Sequence, residues 1–150
     1  MKTPILFLFI FILQQNVFAQ AKKNQIDTIP QFFVTFGNLT SGSFAPEQLK
    51  KNIDSALIVK DKKGTKYPVV RFRINYSFTN SFRDSETELL KKVRDFRAAD
   101  FYDTAFLSTN WAESIKDNAK KGDELLFNFI MIRQPNGKKL LVPDWKATIK

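Results

Sequence analysis

Between Val70 and Thr79 apolar and polar residues alternate without a break, with Val70, Phe72, Ile74, Tyr76 and Phe78 on one side and Arg71, Arg73, Asn75, Ser77 and Thr79 on the other. A period of two belongs to a strand with one buried and one wet face. That is an antiparallel signature, because strands of buried parallel sheets are apolar on both faces. The pattern predicts a long strand over Lys66–Phe82, joined to a shorter one at Ser55–Lys60 by the hairpin turn Asp61-Lys62-Lys63-Gly64. Upstream, Gln31–Gly37 reads as a first strand rich in aromatic and β-branched residues and closed by glycine. Asn38–Gly42 is turn material, and Pro46–Lys51 predicts one or two helical turns, with proline suited to a helix start.

The period changes at Ser85. Leu89, Leu90, Val93 and Phe96 fall on one helical stripe, Ser85-x-x-Glu88 has the form of a capping box, and Glu88 precedes Lys92 by four residues. These signals predict a helix over Ser85–Arg97 that packs on the sheet and leaves Lys91, Lys92, Arg94 and Arg97 in water. Phe101–Leu107 fits neither period. Asn110-x-x-Glu113 then opens a second helix carrying Trp111, Ile115 and Ala119, with Lys120-Lys121 in its last turn and Gly122 just past its end in a left-handed conformation. Leu125–Arg133 is apolar at both parities, which predicts a central strand covered on both faces, with Phe127 and Phe129 in the core. Gln134-Pro135-Asn136-Gly137 is a turn, Lys139–Val142 returns antiparallel, and Trp145–Ile149 alternates again. The expected whole is one α+β domain over residues 31–150: a mainly antiparallel, β-sandwich-like fold with two short packing helices.

The first nineteen residues stand apart. Lys2, the unbroken apolar run Ile5–Leu13 and the small-residue pattern Val17-x-Ala19 have the form of a secretory signal peptide, with cleavage expected after Ala19. The apolar run is too short to cross about 30 Å of hydrocarbon at 1.5 Å per residue. No cysteine follows it, so a lipoprotein anchor is excluded. Residues 20–30 are a polar lead-in, and the expected location is periplasmic or secreted.

Composition then limits the chemistry. The formal net charge is +9, and it falls to +8 once the single lysine of residues 1–19 is removed. There is no cysteine, so the fold is held by packing without disulfides. There is no histidine either, which removes the commonest general base and transition-metal ligand and rules out the His-dependent triads. No glycine-rich phosphate loop and no G-x-S-x-G occur. Asp84, Glu86 and Glu88, spaced by two on a helix, point about 200° apart and do not converge on a cation, and Asp123-Glu124 shapes the start of the next strand. A non-enzymatic protein without a cofactor is expected.

Charge suggests partners. A nucleic-acid binder would gather lysines on one face with aromatics interleaved for stacking. Here the cations are spread over turns and helix faces while the aromatics alternate inward, so nucleic acid is not an expected partner. Acidic surfaces of a bacterial envelope, lipid phosphates or glycans, suit the charge better. Arg71 and Arg73 on the wet face of their strand, with Lys62, Lys63 and Lys66 nearby in sequence, are the candidate contacts for a partner or an anion.

The C-terminal portion, Trp111-Ala-Glu-Ser-Ile-Lys-Asp-Asn-Ala-Lys-Lys-Gly-Asp-Glu-Leu-Leu-Phe-Asn-Phe-Ile followed by Gln-Pro-Asn-Gly-Lys-Lys-Leu-Leu-Val-Pro, resembles the C-terminal domain of the GldM family. In that family a short helix ending in a basic pair and glycine, a strand, a P-x-G turn and a closing strand occur in this order. Upstream, Thr40-Ser41-Gly42-Ser43, Pro46-Glu47-Gln48-Leu49, Arg71-Phe72-Arg73-Ile74 and Tyr76-Ser77-Phe78 are similar in order and spacing. The resemblance covers residues 31–150 and implies an envelope module of Bacteroidetes-type bacteria, of the kind found in gliding motility and type IX secretion machinery. It supplies no catalytic residues. Its implied role is a stand-alone protein-binding or adaptor domain that meets another envelope protein, a secretion or motility component, through sheet edges and loops. The alternative is an electrostatic binder of anionic lipid or glycan.

Overall fold

The structure, a computed structural model, describes residues 31–150; the expected signal peptide and lead-in lie outside the described residues. Two sheets face each other across one core. The smaller has the order β1-β3-β4, from β1 (Phe32–Phe36), β3 (Leu57–Asp61) and β4 (Lys66–Tyr67). The larger runs β2-β9-β7-β5-β6, with β8 also paired to β7. Its members are β2 (Gly42–Phe44), β5 (Val69–Arg83), β6 (Leu90–Tyr102), β7 (Glu124–Arg133), β8 (Lys139–Leu141) and β9 (Trp145–Ile149). All pairings are antiparallel except β2 with β9. This is the expected α+β sandwich-like architecture.

Between the sheets Phe36, Phe127 and Trp145 form a mutual aromatic cluster, with centroids 4.9–5.5 Å apart, and Phe72 joins it 5.6 Å from Phe127. Helix α1 (Pro46–Asn52) supplies buried Leu49, and α2 (Thr109–Asn118) supplies Ala112 and Ile115. The step from β1 to α1 depends on Gly37, whose φ is +55°. A Cβ there would stand 2.6 Å from Asn52 Oδ1 and 2.8 Å from Ser55 Cβ, so only glycine fits.

The alternation of β5 is as expected: Phe72, Ile74 and Tyr76 are buried while Arg71, Arg73, Asn75 and Ser77 are partly exposed. Pro68, which has no N–H to donate, separates β5 from β4. The Asp61–Gly64 turn joins β3 to β4, with Asp61 Oδ1 accepting from the amides of Lys63 and Thr65.

Three expectations are corrected. Residues Ser85–Arg97 are not a helix: Leu90–Tyr102 is strand, in register with β5 from Arg71↔Tyr102 to Arg83↔Leu90. Asp84, rather than Ser85, organises the connection, accepting from the amides of Glu86 and Thr87 through its carboxylate and from Glu88 N–H through its carbonyl. A fifteen-residue strand offers a ladder of backbone partners that outweighs a local apolar stripe. Leu89, Leu90, Val93 and Phe96 are consequently exposed. The second packing helix is therefore α1, not this segment.

Strand β7 is central, but it is covered on one face only. Phe129 has φ +50° and marks a β-bulge, visible as the slip between Arg71↔Met131 and Arg73↔Asn128. The bulge reverses the phase, so Leu125 and Phe127 before it and Ile130 and Ile132 after it all face the core. Phe129 is 49% exposed, against the expectation that it is a core residue.

Gly122 has the expected positive φ, +93°, but in a different setting. Helix α2 ends at Asn118, and Gly122 is the third residue of a turn closed by Asp123 N–H donating to Lys120 carbonyl. The Gln134–Gly137 turn is as expected, closed by Gly137 N–H to Gln134 carbonyl, with Gly137 alone in the left-handed region.

Candidate functional site

With the helices and the small sheet on its inner side, the large sheet presents its other face to solvent. The bulge at Phe129 and the antiparallel register decide what stands there. Arg71 lies between Tyr102 of β6 and Met131 of β7, and Arg73 between Asp100 and Asn128. Leu141 lies opposite Met131 on the same face.

Asp100 ties the two arginines together. Arg73 donates Nη2 to Asp100 Oδ2 at 2.6 Å and Nε at 3.2 Å, while Arg71 Nη2 reaches Oδ1 at 3.4 Å. The hydrogen bond from Arg73 is the main reason that the Asp100 carboxyl is held below its ordinary range, and the same contact raises Arg73. Each guanidinium also lies over an aromatic ring, Arg71 at 5.2 Å from the Tyr102 centroid and Arg73 at 5.6 Å from that of Phe129. Arg71 Nε is shielded and has no acceptor among the described residues. Farther along the face, Glu124 takes ion pairs from Arg94 and Lys146, both at 3.4 Å.

The result is a fixed cationic pair set among apolar side chains that water still reaches. Phe129, Leu141, Tyr102 and Phe96 are 49–67% exposed. Single exposed apolar residues need no explanation, but several on one rigid sheet face do.

The five residues expected from sequence divide. Arg71 and Arg73 share a neighbour on this face. Lys62 and Lys63 lie in the β3–β4 turn and Lys66 in β4, on the other sheet. Lys62 lines an open cleft of about 660 Å³ with Gln31, Phe32 and Leu140–Pro143. Among the described residues no salt bridge includes Lys62, Lys63 or Lys66. Sequence reading missed Asp100, Tyr102 and Phe129. The first two were hidden by the helical assignment upstream of them; pairing a length-matched strand to β5 would have brought both opposite the arginines.

Among the described residues one acid is fully buried. Asp123 accepts from Tyr76 hydroxyl at 2.7 Å and from Lys120 amide at 3.0 Å, and its Oδ1 has no donor among the described residues. Burial, and then the bond to Asp123, push the Tyr76 phenol upward. This pair ties the start of β7 to β5. The carboxyls of Asp61, Asp84 and Asp100 are each held below their ordinary range, which suits charged hydrogen-bond acceptors and not proton donors at neutral pH. Among the described residues no group of three or more acids could hold a metal ion, and no helix is long and apolar enough to cross a membrane. The chain matches no protein-family model and no curated protein.

Proposed function

We propose that this protein is a non-enzymatic docking domain of the bacterial envelope, an adaptor of the GldM C-terminal kind, that binds another protein on the outer face of its large sheet. The observation that carries the reading is the arginine pair held by Asp100 among exposed Tyr102, Phe129 and Leu141. Aromatic residues and arginine are the side chains that contribute most to protein interfaces, and here their geometry is fixed before binding. The partly exposed guanidinium groups of Arg71 and Arg73 are donors only, which suits a partner that brings a carboxylate or a backbone carbonyl.

Affinity capture from envelope extract tests the reading when it compares variants. The wild-type protein retains a partner that is lost with Arg71→Ser combined with Tyr102→Ser, and retained with Lys62, Lys63 and Lys66 all changed to Ser. Equal capture by all three proteins, or none by any across a range of salt, contradicts it.

A second reading, an electrostatic binder of anionic lipid or glycan, draws on the net charge and the partly exposed guanidinium groups of Arg71 and Arg73. It predicts binding to vesicles containing phosphatidylglycerol that weakens steeply from low to physiological salt, since charges farther apart than about 8–10 Å are then screened. Salt-insensitive binding, or none, removes it.

A further inference from the structure

Strand β6 is the free edge of the large sheet, bonded to β5 on one side and to no strand on the other among the described residues. Its backbone polarity can be read directly. Asp103 N–H donates to Val70 carbonyl, so odd-numbered residues of this segment bond to β5. Phe96 N–H is instead taken by the adjacent Asp95 carboxylate at 2.8 Å. The even-numbered residues from Leu90 to Tyr102 therefore direct their amides and carbonyls to the free edge, a template for another strand. Residues 90–98 are exposed on both sheet faces, and the contact that α2 makes with this stretch is Arg97 Nη1 donating to Ser114 Oγ at 3.5 Å.

The side chains along this edge are complementary to themselves. Phe96 is the midpoint of Leu90–Tyr102. A two-fold axis at Phe96 pairs the whole strand with its own copy, antiparallel, and sets Phe96 against Phe96, whose amide exchanges the Asp95 carboxylate for the carbonyl of the second Phe96. In that register Arg97 falls opposite Asp95 of the second copy and Lys92 opposite Asp100, each occurring twice, while Leu90 falls opposite Tyr102 and Val93 opposite Ala99. Opposite-charge and apolar pairs directly across a ladder are the stabilising combinations. The neighbouring registers lose this. An axis at Arg94 sets Lys91 against Arg97, one at Ala98 leaves no opposite-charge pair across the seam, and both shorten the overlap. An axis at an odd-numbered residue presents amides already bonded to β5.

We propose that β6 pairs with β6 of a second copy of this chain about a two-fold axis at Phe96, giving a homodimer with one continuous sheet. The two outer faces then lie side by side. Phe96, Asp100 and Tyr102 belong to both the edge and the outer face, and cross-linking in purified protein, with no other partner present, tests the edge alone.

The chain contains no cysteine, so a single introduced one reports the register. Opposed residues in a hydrogen-bonded pair have Cα atoms about 5.5 Å apart, inside the disulfide range of about 4.4–6.8 Å. In protein purified after expression of the full chain, Phe96→Cys is expected to form a covalent dimer on mild oxidation. Ala98→Cys is not, because its two copies are offset by four residues, about 13 Å along the strand. Sedimentation supplies the second measurement. Arg97→Asp is expected to weaken the dimer about tenfold or more, and Asp95→Arg with Arg97→Asp to restore it, since the exchange recreates both ion pairs in the same register. Circular dichroism checks that each variant is folded. A wild-type monomer at about 100 μM, far weaker than specific dimers, equal cross-linking of the two cysteine variants, or no recovery in the double exchange overturns the proposal.

Discussion

Phe127 and Phe129 stand two residues apart on one strand, and the left-handed backbone of Phe129 gives them different surroundings. Phe127 is fully buried between Phe36, Phe72 and Trp145, so Phe127→Ala is expected to cost roughly 3–5 kcal/mol. Phe129→Ala, on a half-exposed ring, is expected to cost under about 1 kcal/mol. Thermal melts of the two variants check this; equal shifts would mean that the bulge is misplaced. Tyr76 offers a second test at this scale. Its phenol is raised by burial and by Asp123, so its contribution is complete below the ordinary tyrosine range and is lost as pH rises through the raised value. Denaturant melts of the wild type are expected to show a fall in stability above about pH 10. Tyr76→Phe removes the contribution of that group to the fall and leaves Asp123 with one donor fewer, at a cost of roughly 1.5–3 kcal/mol near neutrality. A variant as stable as wild type at pH 7 would contradict the buried pair.

Among the elements, the β5–β6 ribbon shows where local pattern stops being decisive. The strand at Val69–Arg83 was legible because its alternation is strict, and Trp145–Ile149 for the same reason. Strand β6 was not, since Leu89, Leu90, Val93 and Phe96 sit at helical spacing while the partner that holds them extended lies earlier in the chain. The bulge in β7 was hidden for another reason: in Phe129-Ile-Met-Ile132 every residue is apolar, so a reversal of phase leaves no mark on the pattern. The ribbon itself gives a pH prediction. Lys91, then the amide and hydroxyl of Thr87, hold Asp84 down from 3.8 to about 2. A depressed carboxyl contributes above its ordinary pKa and loses that contribution as pH falls through the lowered one. The Thr87 amide resonance is therefore expected to titrate with a midpoint near 2; a midpoint near 4 would dissociate Asp84 from the turn.

For the whole molecule, the sheet separates two kinds of surface. Its inner face carries the aromatic core, and its outer face carries Arg71, Arg73 and Asp100 among exposed rings. Sequence located the two arginines correctly on the wet face, because period two sorts faces without reference to partners. It could not join them to Asp100, which lies 27 residues from Arg73 and meets it only through the ladder. The lysines grouped with them by chain distance lie on the other sheet. Because Arg71 is more than a third exposed in its ion pair, Arg71→Ala is expected to change stability by less than about 1 kcal/mol, so loss of binding in that variant reports contact and not folding. The most direct test of the docking face uses cysteine variants for thiol labelling, Phe129→Cys on the outer face and Lys63→Cys in the β3–β4 turn. Both are labelled alike in purified protein. In living cells Phe129→Cys is expected to be protected by the bound partner while Lys63→Cys is not; equal labelling of the two in cells would contradict the assignment of the outer face as the binding surface.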